Sequence, residues 1–238
     1  MVESRHIVTA FDRDLEGIQA QVMKMGGMVE QAIADAATAF AEADAELAAA
    51  TRAADRAIDD LEERINEEAA RVIALRQPIA TDLRTVLTVF RISSALERIG
   101  DYAKNMAKRT EILIELTPVD GSSAALRRMS RMVGQMLHDA LDAYVTRDAA
   151  LAADVRARDE EVDQMYDGLF REYLTHMMED PRQITACMHI HFMAKNVERM
   201  GDLATTVAEQ VIYLVTGELP ADERAKADMT SVAKGAGG

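Results

Sequence analysis

Eight carboxylates in this sequence fall into four pairs of identical spacing: Asp55 with Asp59, Glu97 with Asp101, Asp159 with Asp163, and Glu198 with Asp202. Residues four apart on a helix stand one above the other on the same face, with about 5–6 Å between Cβ atoms, so each pair makes a two-carboxylate patch. Two prolines relate the pairs to one another. Asp59 lies 19 residues before Pro78 and Glu97 lies 19 after it, while Asp55 and Asp101 stand 23 residues to either side. A hairpin turning at Pro78 brings both pairs to one height, about 28 Å from the turn at 1.5 Å per residue. The second set straddles Pro181 in the same way, Asp163 against Glu198 and Asp159 against Asp202. Four like charges facing one another across a helix pair repel unless a cation sits among them or they diverge into water. The chemistry expected of these residues is the holding of hard cations: magnesium, manganese, calcium or iron suit carboxylate oxygens, whereas zinc usually recruits His or Cys.

Neighbouring residues shape that expectation. Arg98 and Arg199 adjoin the two glutamates, and simple surface ion pairs with them are the alternative to a bound cation. Asn105 stands one turn beyond Asp101 and offers a carbonyl oxygen, while Thr206 takes the matching place after Asp202, so the two sites differ. Gly100 and Gly201 sit inside the helical patterns, where glycine costs about 1 kcal/mol relative to alanine, and imply a close helix approach or room for an ion. His189 and His191 are about 200° apart on a helix and do not chelate one ion together; one is expected buried and the other exposed. Glu172 and His176 lack the Glu-x-x-His spacing of di-iron carboxylate bundles. Phosphate-binding glycine loops, nucleophile elbows and His-Glu-x-x-His motifs are absent from the sequence. Cys187 lies in an apolar helical pattern as a core residue, and the 15 methionines read as adaptable core filling.

The elements that must position the carboxylates are helices. Ile18, Val22, Met25, Val29, Ile33, Ala36 and Phe40 track one face of a long amphipathic helix, and similar periodicity runs through most of the 238 residues. With 4% aromatics, 12 Gly and 4 Pro, strand and turn formers are scarce and an all-β fold is excluded. Breaks near Ala43 to Ala45, at Pro78, over Thr117 to Ser123, near Arg147-Asp148 and at Pro181 divide the chain into six helices. The chain also repeats itself. Met28-Val29 recurs as Met132-Val133, Asp44 as Asp148, Asp55 as Asp159 and Asp59 as Asp163, each 104 residues on, and Glu97-Arg98-Ile99-Gly100-Asp101 recurs as Glu198-Arg199-Met200-Gly201-Asp202 after 101. The period is too long for a solenoid. The fold expected is all-α, two tandem, pseudo-symmetric three-helix bundles over 1–120 and 121–220, with 221–238 a disordered tail. The net charge of −14 disfavours nucleic-acid partners. No signal-peptide or membrane-length apolar run is present and Cys187 has no disulfide partner, so a cytoplasmic location is expected, with membrane association only through partners.

Arg76-Gln77-Pro78-Ile79-Ala80-Thr81-Asp82-Leu83-Arg84, followed by Leu96-Glu97-Arg98-Ile99-Gly100-Asp101-Tyr102-Ala103-Lys104-Asn105, strongly resembles the PhoU family, bacterial regulators associated with phosphate-specific transport. The resemblance spans about residues 5 to 218, includes the duplicated Glu-Arg-x-Gly-Asp motif and ends at Tyr213-Leu214-x-x-Gly217-Glu218. It implies two similar three-helix bundles, a homodimer, and metal clusters (iron, manganese, magnesium or zinc) on Asp55, Asp59, Glu97, Asp101, Asp159, Asp163, Glu198 and Asp202. Leu203 and Thr206 depart from the second motif, which often has His and Asn there, and the second half lacks the Asp-Leu-Arg of the first. The family's implied role is that of a non-enzymatic adaptor. It links the ATPase subunit of a phosphate ABC transporter to the phosphate sensor histidine kinase and restrains both the starvation response and uptake. The alternatives are a carboxylate-bridged metal hydrolase or phosphatase, and a metal-free helical scaffold.

Overall fold

A computed structural model describes residues 2–220, with side chains from residue 11 onward; the expected C-terminal tail lies outside the described residues. Six long helices make up nearly all of it: α1 (Val2–Glu42), α2 (Ala45–Arg76), α3 (Thr81–Leu113), α4 (Ser122–Thr146), α5 (Ala149–Glu179) and α6 (Ile184–Thr216), with a 3-10 turn at Pro181–Gln183 before α6. Every break expected from the sequence is a helix boundary. Asp44 caps α2 by accepting a hydrogen bond from the Leu47 amide, and Asp148, its counterpart 104 residues on, caps α5 by accepting from the Ala150 and Leu151 amides. The residue before each cap, Ala43 or Arg147, is left-handed at φ 52° or 57°, which turns the chain sharply into the next helix. Pro78 sits between α2 and α3, preceded by Gln77 at φ 48°.

Each half packs its three helices together, and the halves join through α1 against α4 and α3 against α6. One continuous core runs through both, with Val22, Met25 and Val29 of α1, Ile92, Leu96 and Ile99 of α3, Val133 and Leu137 of α4, and Met193, Val197 and Met200 of α6 all buried. Helices α1 and α4 thus cover one face of the central α3/α6 pair, with α2 beside α3 and α5 beside α6. Among the described residues the opposite face of α3 and α6 has no helix over it. Among the described residues no helix is long and apolar enough to cross a membrane. Cys187 is buried, as its apolar setting implied, and burial pushes its thiol pKa up.

The α1/α4 crossing depends on a missing side chain. A Cβ placed on buried Gly26 would stand 2.3 Å from Leu141 Cδ1, whereas one on exposed Gly17 would meet nothing within 4 Å. Gly26→Leu is expected to overpack this crossing at a cost of about 1–3 kcal/mol. Gly17→Ala on the same helix should instead stabilise by about 0.5–1 kcal/mol. Thermal midpoints moving in opposite directions are the check; equal shifts would contradict the packing described.

Candidate metal centre

The hairpin of α2 and α3 sets its acids at the height the proline arithmetic requires. Gly100 permits the contact: a Cβ there would lie 3.1 Å from Ile58 Cδ1 and 3.6 Å from Asp55 Oδ1. Asp55 is 4% exposed, and its two oxygens differ. Oδ2 accepts a hydrogen bond from Lys104 Nζ at 2.5 Å, and Oδ1 is buried without a hydrogen-bond partner. The same ammonium donates to Asp101 Oδ1 at 3.2 Å. Hydrogen bonding to Asp55, ahead of that to Asp101, holds the Lys104 pKa well above its ordinary value. Burial, then the charge of Asp55, raises the pKa of Asp59, with Lys104 working against the rise. Glu97 is also raised, by burial first and then by Asp101, Glu62, Asp59 and Asp55. All four predicted carboxylates of this half therefore act on one another, and Glu62 joins them.

The second hairpin repeats the construction with deeper burial. A Cβ on Gly201 would lie 3.3 Å from Val162 Cγ1 and 3.5 Å from Asp159 Oδ1. Asp159, Asp163 and Glu198 are buried and Asp202 is half-buried. Lys195 Nζ donates to Glu198 Oε1 at 2.8 Å and lies 4.8 Å from the centre of the Tyr166 ring. Asp167, one turn beyond Asp163, is buried as well.

In the present side-chain arrangement no three His, Cys, Asp or Glu of the described residues converge tightly enough to hold an ion. A lysine stands against each cluster instead. The donor set is nonetheless one of hard oxygens, and the buried, unsatisfied Asp55 Oδ1 is an acceptor still lacking a positive partner. The residues present fit a hard cation.

Several expectations change in detail. Arg98 and Arg199 do not neutralise the clusters: Arg98 is exposed, and the Arg199 guanidinium lies over the Tyr102 ring at 5.9 Å. The neutralising groups are Lys104, three residues after Asp101, and Lys195, three before Glu198, a spacing legible in the sequence. Glu62 and Asp167 were likewise signalled, by extension of the acidic stripe three or four residues past Asp59 and Asp163. Asn105 is exposed, and the Thr206 hydroxyl donates to the Asp202 carbonyl at 2.9 Å. His189 and His191 are both half-buried rather than split between core and solvent; His189 meets Arg109, and His191 packs on Tyr166 and Phe170. Burial lowers both imidazole pKa values. Glu172 and His176 approach only to 4.0 Å.

The sequence matches the PhoU domain twice, over residues 22–110 and 126–211, so each copy contains one carboxylate hairpin. The chain belongs to the PhoU family. A phosphate-specific transport system accessory protein PhoU homolog of Caulobacter vibrioides is 45% identical over 228 residues, covering 96% of this chain and 99% of that protein. The homolog from Rhizobium meliloti is 43% identical over 226 residues, 95% of each chain. Among solved structures, PhoU from Pseudomonas aeruginosa superposes with a TM-score of 0.85 at 39% identity, covering 87% of this chain and 100% of that one. The phosphate transport system regulatory protein PhoU from Streptococcus pneumoniae gives 0.82 at 29% identity over 89% and 99% of the two chains. PhoU membership accounts for the all-α, internally repeated fold.

The raised pKa values have a signed consequence. A carboxyl group whose pKa is higher in the fold than in the unfolded chain costs stability while it is ionised, and that cost disappears as pH falls through the folded value. In the presence of chelator, Asp59→Asn with Glu97→Gln should be more stable than the parent at neutral pH. The margin should close as pH falls toward the ordinary values of 3.8 and 4.5. Urea midpoints across that range decide it; a margin independent of pH would contradict the like-charge account.

Proposed function

We propose that this chain is a metal-holding accessory protein of a phosphate-specific transport system, acting as an adaptor rather than as a catalyst. The observation that carries this reading is the near full-length match to phosphate-specific transport system accessory proteins, with both carboxylate hairpins inside the matched domains. Asp55, Asp59, Glu97 and Asp101 would hold one cation site, and Asp159, Asp163, Glu198 and Asp202 the other. A bound cation supplies fixed positive charge among acids that otherwise repel. Asp55 Oδ1 offers a buried acceptor, while Lys104 and Lys195, on flexible stems, mark the places where positive charge is needed. Iron, manganese, magnesium and zinc are the metals the family resemblance suggests, and the all-oxygen donor set favours the first three.

The partners consistent with this role are the transporter's ATPase subunit and the phosphate sensor histidine kinase. The chain would work in the cytoplasm as a homodimer, reach the membrane only through those partners, and hold the starvation response down when phosphate is plentiful. Deletion of the gene should raise alkaline phosphatase activity, or another starvation output, in phosphate-replete cells, and the intact gene should reverse it. Unchanged output in a strain with no second copy would overturn the regulatory reading.

The metal reading has its own test. Asp59→Ala with Asp101→Ala should lower the metal content of the purified protein by about the share of one site, measured by elemental analysis with protein concentration. Full retention would remove the first-half assignment.

A further inference from the structure

Outside the carboxylate clusters, the most unusual surface is the uncovered seam where α3 and α6 run antiparallel. At about 100° per residue, Arg84, Arg91, Arg98 and Arg109 fall within about 40° of one another around α3, with Tyr102 among them. None of the four is paired with a carboxylate among the described residues, and neither is Arg199 of α6. Their neighbours are rings and neutral groups. Arg84 lies 5.5 Å from the centre of the Tyr213 ring, Arg109 lies 4.6 Å from that of Phe192, Arg199 covers Tyr102, and Arg91 donates to Gln210 at 3.4 Å. Five guanidinium groups without acids among the described residues, gathered on one seam, concentrate positive charge in a chain of net charge −14. Some arginines elsewhere find acids, as Arg52 with Glu111, Arg76 with Asp14 and Arg158 with Asp139, and what marks the seam is the gathering of five without one along a single helix pair. Large apolar side chains are exposed beside the stripe: Leu87 and Ile112 of α3, Ile184, Met188 and Phe192 of α6. Arginine, aromatic and methionine side chains, with charge balance deliberately absent, have the composition of a protein-binding hot spot.

We propose that this seam is a docking surface for an acidic amphipathic helix of a partner protein. This deepens the adaptor reading, on which it rests only for the existence of a partner. The spacing identifies the occupant. Arg84, Arg91 and Arg98 follow one another at seven residues, about 10.5 Å each along a helix axis. A second helix lying along the groove presents carboxylates at that same interval when they recur every seven residues, while its apolar side chains meet Leu87, Met188 and Phe192. Arg84, Arg109 and Arg199 rest on rings and Arg91 on an amide, which fixes their directions before the partner arrives and reduces the ordering cost of binding, while Arg98 stands exposed in solvent. An anionic membrane is the weaker match. A flat surface would face the acidic clusters flanking the seam as well as the arginines, whereas a narrow helix can follow the arginines alone.

The test uses the full chain and a labelled helical peptide of four heptads, with one Glu per heptad in register and Leu beside it. Its control is an isomer with the same residues but the Glu positions dispersed around the helix. Fluorescence anisotropy should show the phased peptide binding at least about tenfold more tightly than the isomer, with a steep loss in salt. Arg91→Glu with Arg98→Glu should weaken it by about tenfold or more, Arg91→Gln with Arg98→Gln by less, and a peptide with Lys in place of Glu should restore binding to the Glu variant. Circular dichroism confirms that each variant remains helical. Equal binding of the isomer, no rescue by the reversed peptide, or binding to vesicles of equal phosphatidylglycerol and phosphatidylcholine without binding to the peptide would each overturn the proposal. Failure here with a derepressed deletion strain condemns the surface alone; peptide binding with a silent deletion condemns the phosphate-regulatory role and leaves the surface standing.

Discussion

Mutual repulsion among acids gathered between two paired helices, once in each half, is the constraint around which this protein is arranged. Asp55 is buried against Gly100 of α3, where a Cβ would meet Ile58 Cδ1 at 3.1 Å, and Asp159 is buried against Gly201 of α6, where one would meet Val162 Cγ1 at 3.3 Å. A glycine in mid-helix weakens that helix, and a buried carboxylate weakens the fold further unless positive charge reaches it. Both costs appear twice, at corresponding places in the repeat. Lys104 and Lys195 offset part of the charge, but Asp55 Oδ1 stays without a hydrogen-bond partner. Packing, hydrogen bonding and electrostatics together are what support the proposed cation sites.

The duplicated fold puts α3 and α6 at the centre of everything else. Each is covered by α1 or α4 on one face, contributes acids to its own hairpin on a second, and meets its counterpart along a third. Glu97 and Asp101 therefore belong to the same rigid rod as the arginine stripe, separated by a rotation around one helix rather than by a flexible joint. Charge placed among the acids and contact made at the seam bear on a common element. For the proposed adaptor role, this shared rod gives the two surfaces one structural member through which each could bias the other.

Much of this was legible in the residues. The six helices followed from apolar periodicity and from few breakers, and Asp44 and Asp148 announced the starts of α2 and α5 as side-chain caps. The register of both hairpins was fixed by the symmetric distances of the acids from Pro78 and Pro181, and the contacts of Gly100 with Ile58 and of Gly201 with Val162 agree with it. What periodicity could not supply was the direction of long side chains. Arg98 and Arg199 adjoin the glutamates in sequence, yet a neighbour in sequence points about 100° away around a helix. Lysines three residues off lie on the acids' face and take the role expected of the arginines. Nor could one helix at a time reveal that Arg84 would find Tyr213, or Arg109 Phe192, since those pairs exist only once the two halves are joined.

The most direct measurement is the anomalous scattering of crystals grown with manganese and recorded at its absorption edge. Peaks are expected at two places, between α2 and α3 beside Asp55 and Asp101 and between α5 and α6 beside Asp159 and Glu198, with carboxylate oxygens at about 2.0–2.6 Å. Crystals that hold no manganese at either place, or only at unrelated surface acids, would contradict the proposed cation sites.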